Sequence, residues 1–381
     1  MAIYYGKQTI TEDDVAAVSK TLKGDFLTTG PKVKEFEEKF ADFVGAKYSV
    51  AVCNGTAALH IACLACGLKS GDEIITTPIT FAASANCALY CGAKPLFADI
   101  HQNTGLVNAD KMAKKINKNT RILIPVHYAG LPCDMKRISK IAKKNNLMII
   151  EDACHAIGAR YKDSKIGDCK YSDATVFSFH PVKHITTGEG GIITTNSKEL
   201  YDKMRILRTH GITNDPAKFR ENSHDPWHQE MQVLGYNYRL TDIQCALGVS
   251  QLKKADDFVK KRRLLAERYI KAFADVPGIE TLKEPNGSWN SYHLFVIKVK
   301  DAKTRLQLFN HLAKDGVMCQ VHYIPVYLHP YYQGLGFKKG LCPNAERFYQ
   351  QIISLPLYPE LSANNQERVI KNIIEFLNKA H

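Results

Sequence analysis

Apolar residues along the chain follow two spacings, one typical of helices and one typical of short buried strands. Thr11 can cap a helix that runs to Leu22, since three acidic residues follow it at the positive end. Gly30 and Pro31 open a second helix, whose phenylalanines recur on one face before Gly45. Strands are expected over Tyr48–Val52, Glu73–Thr76, Pro95–Ala98, Arg121–Val126, Leu147–Ile150, Ala174–Phe179 and Gly191–Thr195. Further helices are expected over Thr56–Cys66, Thr80–Tyr90 and Met135–Lys144.

Strands that consist of continuous Val, Ile and Leu runs and alternate with helices indicate a mostly parallel sheet covered on both faces. The expected class is therefore α/β. After about residue 250 the pattern becomes α+β, and a long charged helix over Gln251–Phe273 leads into it. We expect a large domain over residues 1–250 and a smaller C-terminal domain over residues 251–381. The elements expected there are strands over Tyr292–Val299 and Val317–Val321, and helices over Ala302–Lys314, 344–353 and 363–379.

Composition fits a folded protein of 381 residues with no apolar run long enough to cross a bilayer. The first residues do not resemble a secretion signal, so a cytoplasmic location is expected. The 51 Lys and Arg exceed the 38 Asp and Glu by 13, which favours an anionic partner. Nucleic acid is one such partner, but no motif supports it, and we interpret the basic run Lys260–Arg263 as solvated surface.

The 11 cysteines are spread along the chain and predict no metal site. Cys63 and Cys66 form a lone CxxC within an apolar helical stretch, so core packing explains them better than zinc. His180 and His184 have a helical metal-ligand spacing, but Pro181 between them argues against a continuous helix. Reduced thiols and no bound metal are the expectation.

Candidate chemistry lies where three predicted strands end, the edge at which open parallel sheets bind ligands. The turn at Asn54, Gly55 and Thr56 opens a helix whose free amides can hold a phosphate, although such a turn is also an ordinary cap. Asp152 ends an apolar strand, where a carboxylate is either functional or merely solvated. Lys183 follows another strand and is either a surface lysine or a desolvated amine able to form a Schiff base.

A phosphate cradle, a carboxylate for a ring nitrogen and a Schiff-base lysine are together the requirements of pyridoxal 5′-phosphate (PLP). Phe81 is a candidate for the flat aromatic cover of that ring. A Rossmann dinucleotide fingerprint and a P-loop are not supported, because Gly188-Glu-Gly-Gly191 does not match the G-x-G-x-x-G pattern and no Walker lysine motif occurs.

These motifs resemble, in order and over nearly the whole chain, those of the DegT/DnrJ/EryC1/StrS family of sugar aminotransferases. The lysine motif is Phe177-Ser-Phe-His-Pro-Val-Lys183, followed by Thr186-Thr-Gly-Glu-Gly-Gly191. The other matching segments are Gly30-Pro31 with Glu35-Phe36-Glu37, Asn54-Gly-Thr-Ala-Ala-Leu59, Thr77-Pro-Ile-Thr-Phe-Ala-Ala-Ser-Ala-Asn86, Glu151-Asp-Ala-Cys-His-Ala156, Gly235-Tyr-Asn-Tyr-Arg-Leu240, Gln320-Val-His-Tyr323 and Ser354-Leu-Pro-Leu-Tyr-Pro359.

The resemblance implies a type I PLP-dependent aminotransferase fold and a homodimer with active sites shared between subunits. It makes Lys183 the Schiff-base lysine and Asp152 the partner of the pyridine nitrogen, and lysine at this position points to amino transfer. The other implied cofactor contacts are Gly55, Thr56, Ala57 and Ser178 at the phosphate, Phe81 over the ring, His155 near the phenolic oxygen and Asn237 from the other subunit. The implied nucleotide-sugar contacts are Thr28, Thr29, His180, His322, Tyr323, His329 and Arg239, the last from the other subunit.

The activity that the resemblance implies is PLP-dependent transfer of an amino group from glutamate to a UDP-linked 4-keto-6-deoxy-N-acetylhexosamine. Another UDP- or dTDP-keto-sugar, aminated at C4 or C3, is the main alternative. A non-catalytic relative or a nucleic-acid-binding protein is a weaker one, motivated only by the charge. Residues 213–234, with Asp215, His224 and Trp227, match the family poorly, so their role is left open.

Overall fold

The computed structural model describes residues 2–220 and 225–380, so His224 lies outside the described residues. The helices are Glu12–Leu22 (α1), Pro31–Val44 (α2), Gly55–Ala65 (α3), Ala83–Tyr90 (α4), Ala109–Ala113 (α5), Met135–Lys144 (α6), Lys198–Arg208 (α7), Asp242–Leu252 (α8), Ala255–Phe273 (α9), Ala302–Lys314 (α10), Pro330–Gly334 (α11), Pro343–Gln351 (α12) and Ala363–Ala380 (α13).

The strands include very short ones that join loops to the rest of the structure. They are Ile3–Tyr4 (β1), Tyr48–Val52 (β2), Glu73–Thr76 (β3), Lys94–Phe97 (β4), Thr120–Ile124 (β5), Met148–Asp152 (β6), Arg160–Tyr161 (β7), Ser164–Lys165 (β8), Ala174–Ser178 (β9), Gly191–Thr195 (β10), Ile212–Thr213 (β11), Glu230–Met231 (β12), Glu280–Thr281 (β13), Ser288–Trp289 (β14), Phe295–Lys298 (β15), Val317–Met318 (β16) and Ile352–Leu355 (β17).

A seven-stranded sheet, in the order β2-β10-β9-β6-β5-β3-β4, is the centre of the described structure. Every neighbouring pair in it is parallel except the two pairs that involve β10, which runs antiparallel to β2 and to β9. Consecutive residues such as Ile149 and Ile150 belong to separate hydrophobic clusters. The sheet is therefore covered on both faces, and the predicted α/β architecture is confirmed.

The two N-terminal helices form where the caps predict them. Thr11 and Asp14 form a reciprocal capping box at the start of α1. The backbone amides of Gly30 and Lys32, at the start of α2, donate to the carboxylate of Asp242 at 2.8 and 2.9 Å. A negative charge there satisfies free amides and favours the positive end of the helix dipole. On the predicted face, the Phe36 and Phe40 rings are fully buried and Phe43 is partly buried.

A second core lies in the C-terminal part of the chain. There β13, β15 and β17 form an antiparallel sheet, with α10 and α13 contributing to the same hydrophobic cluster. The N-terminal strand β1 pairs with β16, so Ile3 joins this cluster too. The helix expected over 344–353 is observed as α12, which ends at Gln351, and the strand β17 that follows it directly is not among the expected elements. The division at residue 250 stays a prediction.

The helix expected over Gln251–Phe273 is confirmed from Ala255 to Phe273 as α9, but its start is wrong, since Gln251 and Leu252 end the separate helix α8. The turn between them is fixed by the buried Asp14 carboxylate. This carboxylate accepts a hydrogen bond from the side-chain amide of Gln251 at 2.7 Å and lies 2.6 Å from the Lys254 ammonium. A buried charge needs such partners, and these contacts hold both ends of the turn.

The interpretation of Lys260–Arg263 as solvated surface is wrong for its second half. Lys260 and Lys261 are exposed, whereas Arg262 is 1% exposed and Arg263 is only partly exposed. The Arg262 guanidinium donates to backbone carbonyls of Tyr292, His293 and Leu357 at 3.4, 3.2 and 2.8 Å. The guanidinium thus joins α9 to two loops of the C-terminal part.

The remaining expectations concern the cysteines and the length of the apolar helices. Cys63 is fully buried, as a core residue should be, and the cysteines are free thiols in the described chain. None of the described helices combines the length and the apolar character that a membrane span requires.

Candidate active site

The ends of three strands of the seven-stranded sheet and the start of a fourth meet at one edge of that sheet. Val52 ends β2, Asp152 ends β6 and Ser178 ends β9. Because β10 runs antiparallel to its neighbours, its first residue, Gly191, pairs with both Val52 and Ser178 at this edge. The sheet topology therefore brings together residues that are more than 120 positions apart in sequence.

A helix N-terminus lies against this edge, held by its own cap. The Asn54 side chain accepts from the Ala57 amide at 2.8 Å, so the amide of Ala57 already has a partner. A Cβ built on Gly55 would lie 3.1 Å from the Ser178 Cβ, which places Ser178 directly beside the helix start. The Ser178 hydroxyl therefore lies beside the first amides of α3, at Gly55 and Thr56, where the anion cradle is predicted.

Asp152 and Glu151 end the same strand but face opposite ways, as alternate strand residues must. Glu151 lies 2.7 Å from Nε2 of buried His127 and accepts from Ser172 at 2.5 Å, so it is outside the cavity. Asp152 is 5% exposed and lines the cavity. Its Oδ2 accepts from the Ser84 hydroxyl at 2.5 Å and its Oδ1 from the backbone amide of Cys154 at 3.1 Å.

Lys183 follows β9 in a tight turn and lines the same cavity as Asp152. The Lys183 amide donates to the carbonyl of His180 at 2.9 Å across Pro181, which closes the turn. Burial lowers the pKa of Lys183 below its ordinary value, while nearby Cys154 and Asp152 act in the opposite direction. Its ammonium has no hydrogen-bond partner among the described residues. Such an amine is suited to covalent bonding with a carbonyl carbon.

The C-terminal part of the chain supplies one wall of the cavity. The Tyr323 hydroxyl lies 3.1 Å from His155 Nε2, and Nδ1 of His322 lies 2.9 Å from the Ser354 hydroxyl. Burial lowers the pKa of His155 well below its ordinary value and that of His322 to about 3. Both imidazoles are therefore neutral at neutral pH, and they add no positive charge near Lys183.

Phe81 lies at the mouth of the cavity rather than in a helix. It is 63% exposed, and its ring centroid lies 6.4 Å from that of Tyr323 in an edge-on arrangement. The helix expected from Thr80 begins only at Ala83. The exposed His180 also lines the cavity.

Several predicted contacts do not reach this cavity within one chain. Thr29 and Arg239 line a separate depression of about 730 Å³, and Thr28, Asn237 and His329 line neither. Thr28 forms an isolated bridge with Thr241, and Asn237 forms one with Thr209. One chain therefore contains the predicted cofactor contacts other than Asn237 and Ala57, but only part of the predicted sugar site.

The cavity has a volume of about 520 Å³ and contains residues that sequence reasoning did not assign. These are Tyr5, Leu59, Thr80, Ala83, Ser84, Val126, Cys154, Val182, Glu189 and His293. Thr80, Ala83 and Ser84 belong to a segment that matches the family, so their position beside Phe81 was a usable signal. Tyr5 and His293 come from distant parts of the chain and carried none.

Comparison with known proteins shows the family to which this chain belongs. Residues 8–374 match the DegT/DnrJ/EryC1/StrS aminotransferase family, and the chain belongs to it. It is 40% identical to the spore coat polysaccharide biosynthesis protein SpsC of Bacillus subtilis, over 99% of this chain and 97% of that one. It is 38% identical to a UDP-4-amino-4,6-dideoxy-N-acetyl-beta-L-altrosamine transaminase of Campylobacter jejuni, over 98% and 97% of the two chains.

Solved structures of aminotransferases resemble this chain over its whole length. The aminotransferase PseC of Helicobacter pylori, involved in the biosynthesis of pseudoaminic acid, superposes with a TM-score of 0.93 at 33% identity and full coverage of both chains. A sugar aminotransferase of Streptococcus pneumoniae in its PMP form gives 0.94 at 30% identity, again over both whole chains. The protein is a sugar aminotransferase whose cofactor is PLP.

The cavity fits that cofactor by its own chemistry. It offers an unpartnered amine at Lys183, a carboxylate at Asp152 with an acceptor position to spare, and donors at Ser178 beside a helix N-terminus. Gly55 has no side chain, and a Cβ there would lie 3.1 Å from the Cβ of Ser178, so the glycine keeps the space beside Ser178 open for a phosphate. Amine, carboxylate and anion cradle line one cavity, as the three functional groups of PLP require.

Proposed function

We propose that the protein transfers the amino group of L-glutamate to the C4 ketone of UDP-2-acetamido-2,6-dideoxy-β-L-arabino-hex-4-ulose. The product is UDP-4-amino-4,6-dideoxy-N-acetyl-β-L-altrosamine, an intermediate of pseudaminic acid biosynthesis. One observation carries the proposal: Lys183, Asp152 and Ser178 meet in one cavity of a chain related over its length to a transaminase named for that product. The likeness to Helicobacter pylori PseC supports the same assignment.

A second candidate is an aminotransferase for another UDP- or dTDP-linked keto-sugar, at C4 or C3. The observation behind it is the Bacillus subtilis relative, which is named for spore coat polysaccharide biosynthesis and is 40% identical. Both candidates use the same cofactor site and differ only in the sugar. A substrate panel separates them.

The proposed role of each residue follows from its position in the cavity. PLP, when bound, supplies a ring that accepts the negative charge developing beside the transferred amino group. Asp152 accepts the ring N–H, which favours the cationic ring. The amine of Lys183 takes a proton from the α-carbon of glutamate and later delivers one to C4 of the sugar. Ser178, with the amides of Gly55 and Thr56, binds the phosphate, and His155 lies near the phenolic oxygen.

The proposed assembly is a homodimer in which Asn237 and Arg239 reach the cavity of the other subunit. It is supported by the position of both residues outside the cavity of their own chain. Exposed apolar side chains nearby also suit an interface, since Trp227 is 77% and Leu234 79% exposed. The nucleotide would then lie between subunits, within reach of Thr28, Thr29 and His329.

The proposal is tested with purified protein, 15N-labelled glutamate and a panel of UDP- and dTDP-4-keto-sugars. We expect a yellow protein that glutamate bleaches, and a 15N-labelled amino sugar by mass spectrometry from the UDP-linked 4-keto-6-deoxy-N-acetylhexosamine. After borohydride reduction, the cofactor should be found on the peptide that contains Lys183. Lys183→Ala should lose the reducible link, and Lys371→Ala, on the C-terminal helix α13, is the matched control.

Two results would contradict the proposal at different levels. A Lys183→Ala protein with the same borohydride-reducible cofactor link would remove the role of that lysine. Amination of a dTDP-sugar but of no UDP-sugar would leave the chemistry intact and replace the substrate.

A further inference from the structure

Two hydroxyl groups and the Asp152 carboxylate form a short chain of hydrogen bonds along the wall of the cavity, which we call the relay. The hydroxyl oxygens of Thr80 and Ser84 lie 2.7 Å apart, and the Ser84 oxygen lies 2.5 Å from Asp152 Oδ2. Thr80 is 3% exposed, Ser84 is fully buried and Asp152 is 5% exposed. Water therefore has little access to the three groups, which must satisfy one another.

The direction of the chain follows from counting protons. An ionised carboxylate only accepts, so the single hydroxyl proton of Ser84 is donated to Asp152. Ser84 then accepts from Thr80, whose proton points toward Ser84. The carbonyl of Phe81 is a weaker alternative acceptor for Ser84, because it lies at 3.4 Å. The order of donation is therefore Thr80 to Ser84 to Asp152.

The relay leaves part of the carboxylate free. A carboxylate has about four acceptor positions, and three donors lie on it, the Ser84 hydroxyl at Oδ2, the Cys154 amide at Oδ1 and the Cys154 thiol. A donor on each oxygen prevents rotation of the carboxylate plane. The remaining acceptor position is left for a group in the cavity that Asp152 lines.

We propose that Thr80 and Ser84 are positioning residues, which hold the Asp152 carboxylate in the orientation that accepts the pyridine N–H of the cofactor. This inference rests on the proposed role of Asp152. Both residues line the cavity, and their hydroxyls are linked by hydrogen bonds to the Asp152 carboxylate, through which we expect them to act. A charge-assisted bond from a buried hydroxyl is short and directional, which is what holding a carboxylate requires.

The relay also ties the carboxylate to the segment that bears Phe81. The Ser84 amide donates to the Phe81 carbonyl at 3.2 Å, so the turn that presents the aromatic ring also fixes the serine hydroxyl. Thr80 and Ser84 line the cavity themselves, and a change at Thr80 reaches the carboxylate through one hydroxyl, without altering Lys183, Asp152 or Ser178.

The test uses Ser84→Ala and Thr80→Val, which remove one hydroxyl each with little change of volume. For the apoenzyme, prepared with glutamate and dialysis, we expect the Kd for PLP to rise about tenfold in Ser84→Ala and about threefold in Thr80→Val. The pH at which the yellow absorption of the holoenzyme changes should shift in both variants. Thr80→Ser keeps the hydroxyl and should restore most of the affinity.

Thr195→Val is the matched control, because it also removes a buried threonine hydrogen bond, 2.6 Å to the Asp173 carbonyl, but far from the cavity. It should lower the Tm without changing the Kd or the absorption profile. If Ser84→Ala and Thr80→Val behave like Thr195→Val, the hydroxyls are merely structural and the inference is wrong.

Asp152→Asn separates the inference from the proposal beneath it. If Asp152→Asn alters PLP affinity and the absorption profile while both hydroxyl variants leave them unchanged, the relay fails and the role of Asp152 stands. If Asp152→Asn itself changes neither property, the proposed role of Asp152 fails, and the relay with it.

Discussion

The Tyr323 hydroxyl lies 3.1 Å from Nε2 of His155, and the two rings are inclined by only 22°. Burial lowers the pKa of His155 and raises that of Tyr323, so a neutral imidazole faces a neutral phenol. This bond joins the loop after β6 to the loop after β16, which lie 168 residues apart in sequence. It closes one wall of the active site with groups that carry no charge.

Removing that hydroxyl should weaken both the fold and the site. Tyr323→Phe leaves buried Nε2 of His155 without its partner, which costs about 1–3 kcal/mol of unfolding free energy. Urea unfolding of the holoenzyme measures the loss, and the rate of amino transfer should fall with it. Tyr331→Phe, at a tyrosine that is 67% exposed, is the control and should change neither. Equal unfolding curves for Tyr323→Phe and wild type would contradict the prediction.

Four buried histidines near the cavity predict how stability depends on pH. Burial lowers the pKa of His155, His184 and His293 well below the ordinary value of 6.5, and that of His322 to about 3. Below about pH 6.5 the unfolded chain binds protons that the folded chain cannot. Stability is therefore full above pH 6.5 and falls as the pH decreases, by up to about 1.4 kcal/mol per pH unit for each histidine.

Urea unfolding between pH 7.5 and 5.5 measures this slope before most carboxylates titrate. His322→Asn removes one of the four groups and should make the slope shallower. His101→Asn, at an exposed histidine, should leave it as in the wild type. A slope that His322→Asn does not change would show that His322 is not among the groups responsible.

The buried Arg262 predicts a sharp contrast within the run Lys260–Arg263. Arg262→Met removes the donor for three backbone carbonyls, which are left buried and unpaired, so stability should fall by about 1–3 kcal/mol. Lys261→Met, at the exposed neighbour, should stay within about 0.5 kcal/mol of the wild type. Thermal unfolding of the two variants side by side measures the difference. Equal Tm values would restore the interpretation of the run as solvated surface.

Features that depend on local contacts could be predicted from the sequence, whereas features that depend on contacts between distant residues could not. Helix α1 was predictable from Thr11, and the meeting of Lys183 and Asp152 in one cavity from strand ends, because a cap and a strand end are local signals. The break between α8 and α9 was not, since it depends on Asp14, more than 230 positions away from Gln251. Local periodicity could not show that a distant carboxylate fixes that turn.

Local sequence patterns also could not predict the burial of Arg262 or all the residues that line the cavity. A basic run on a helix is usually solvated, and only the carbonyls of two distant loops make one of its members a buried donor. Tyr5 and His293 line the cavity but stand in no motif, because what brings them there is tertiary packing. The proposed roles of Asn237 and Arg239 rest on motif resemblance, since neither residue lines the cavity of its own chain.

Close packing at Gly191 yields the last prediction. A Cβ at this residue would lie 2.5 Å from the Asn54 carbonyl oxygen and 2.8 Å from the Gly55 nitrogen, both of them backbone atoms that cannot rotate away. Gly191→Ala should therefore displace the turn that opens α3, and with it the cradle at Ser178. We expect a lower Tm and a PLP Kd raised by about tenfold or more, since a shift of a few tenths of an ångström weakens every phosphate contact at once. Gly334→Ala, where a Cβ would meet nothing within 4 Å, should leave both values unchanged. Titration of each apoenzyme with PLP, beside its thermal unfolding, measures the contrast, and wild-type affinity in Gly191→Ala would show that the cradle does not depend on this contact.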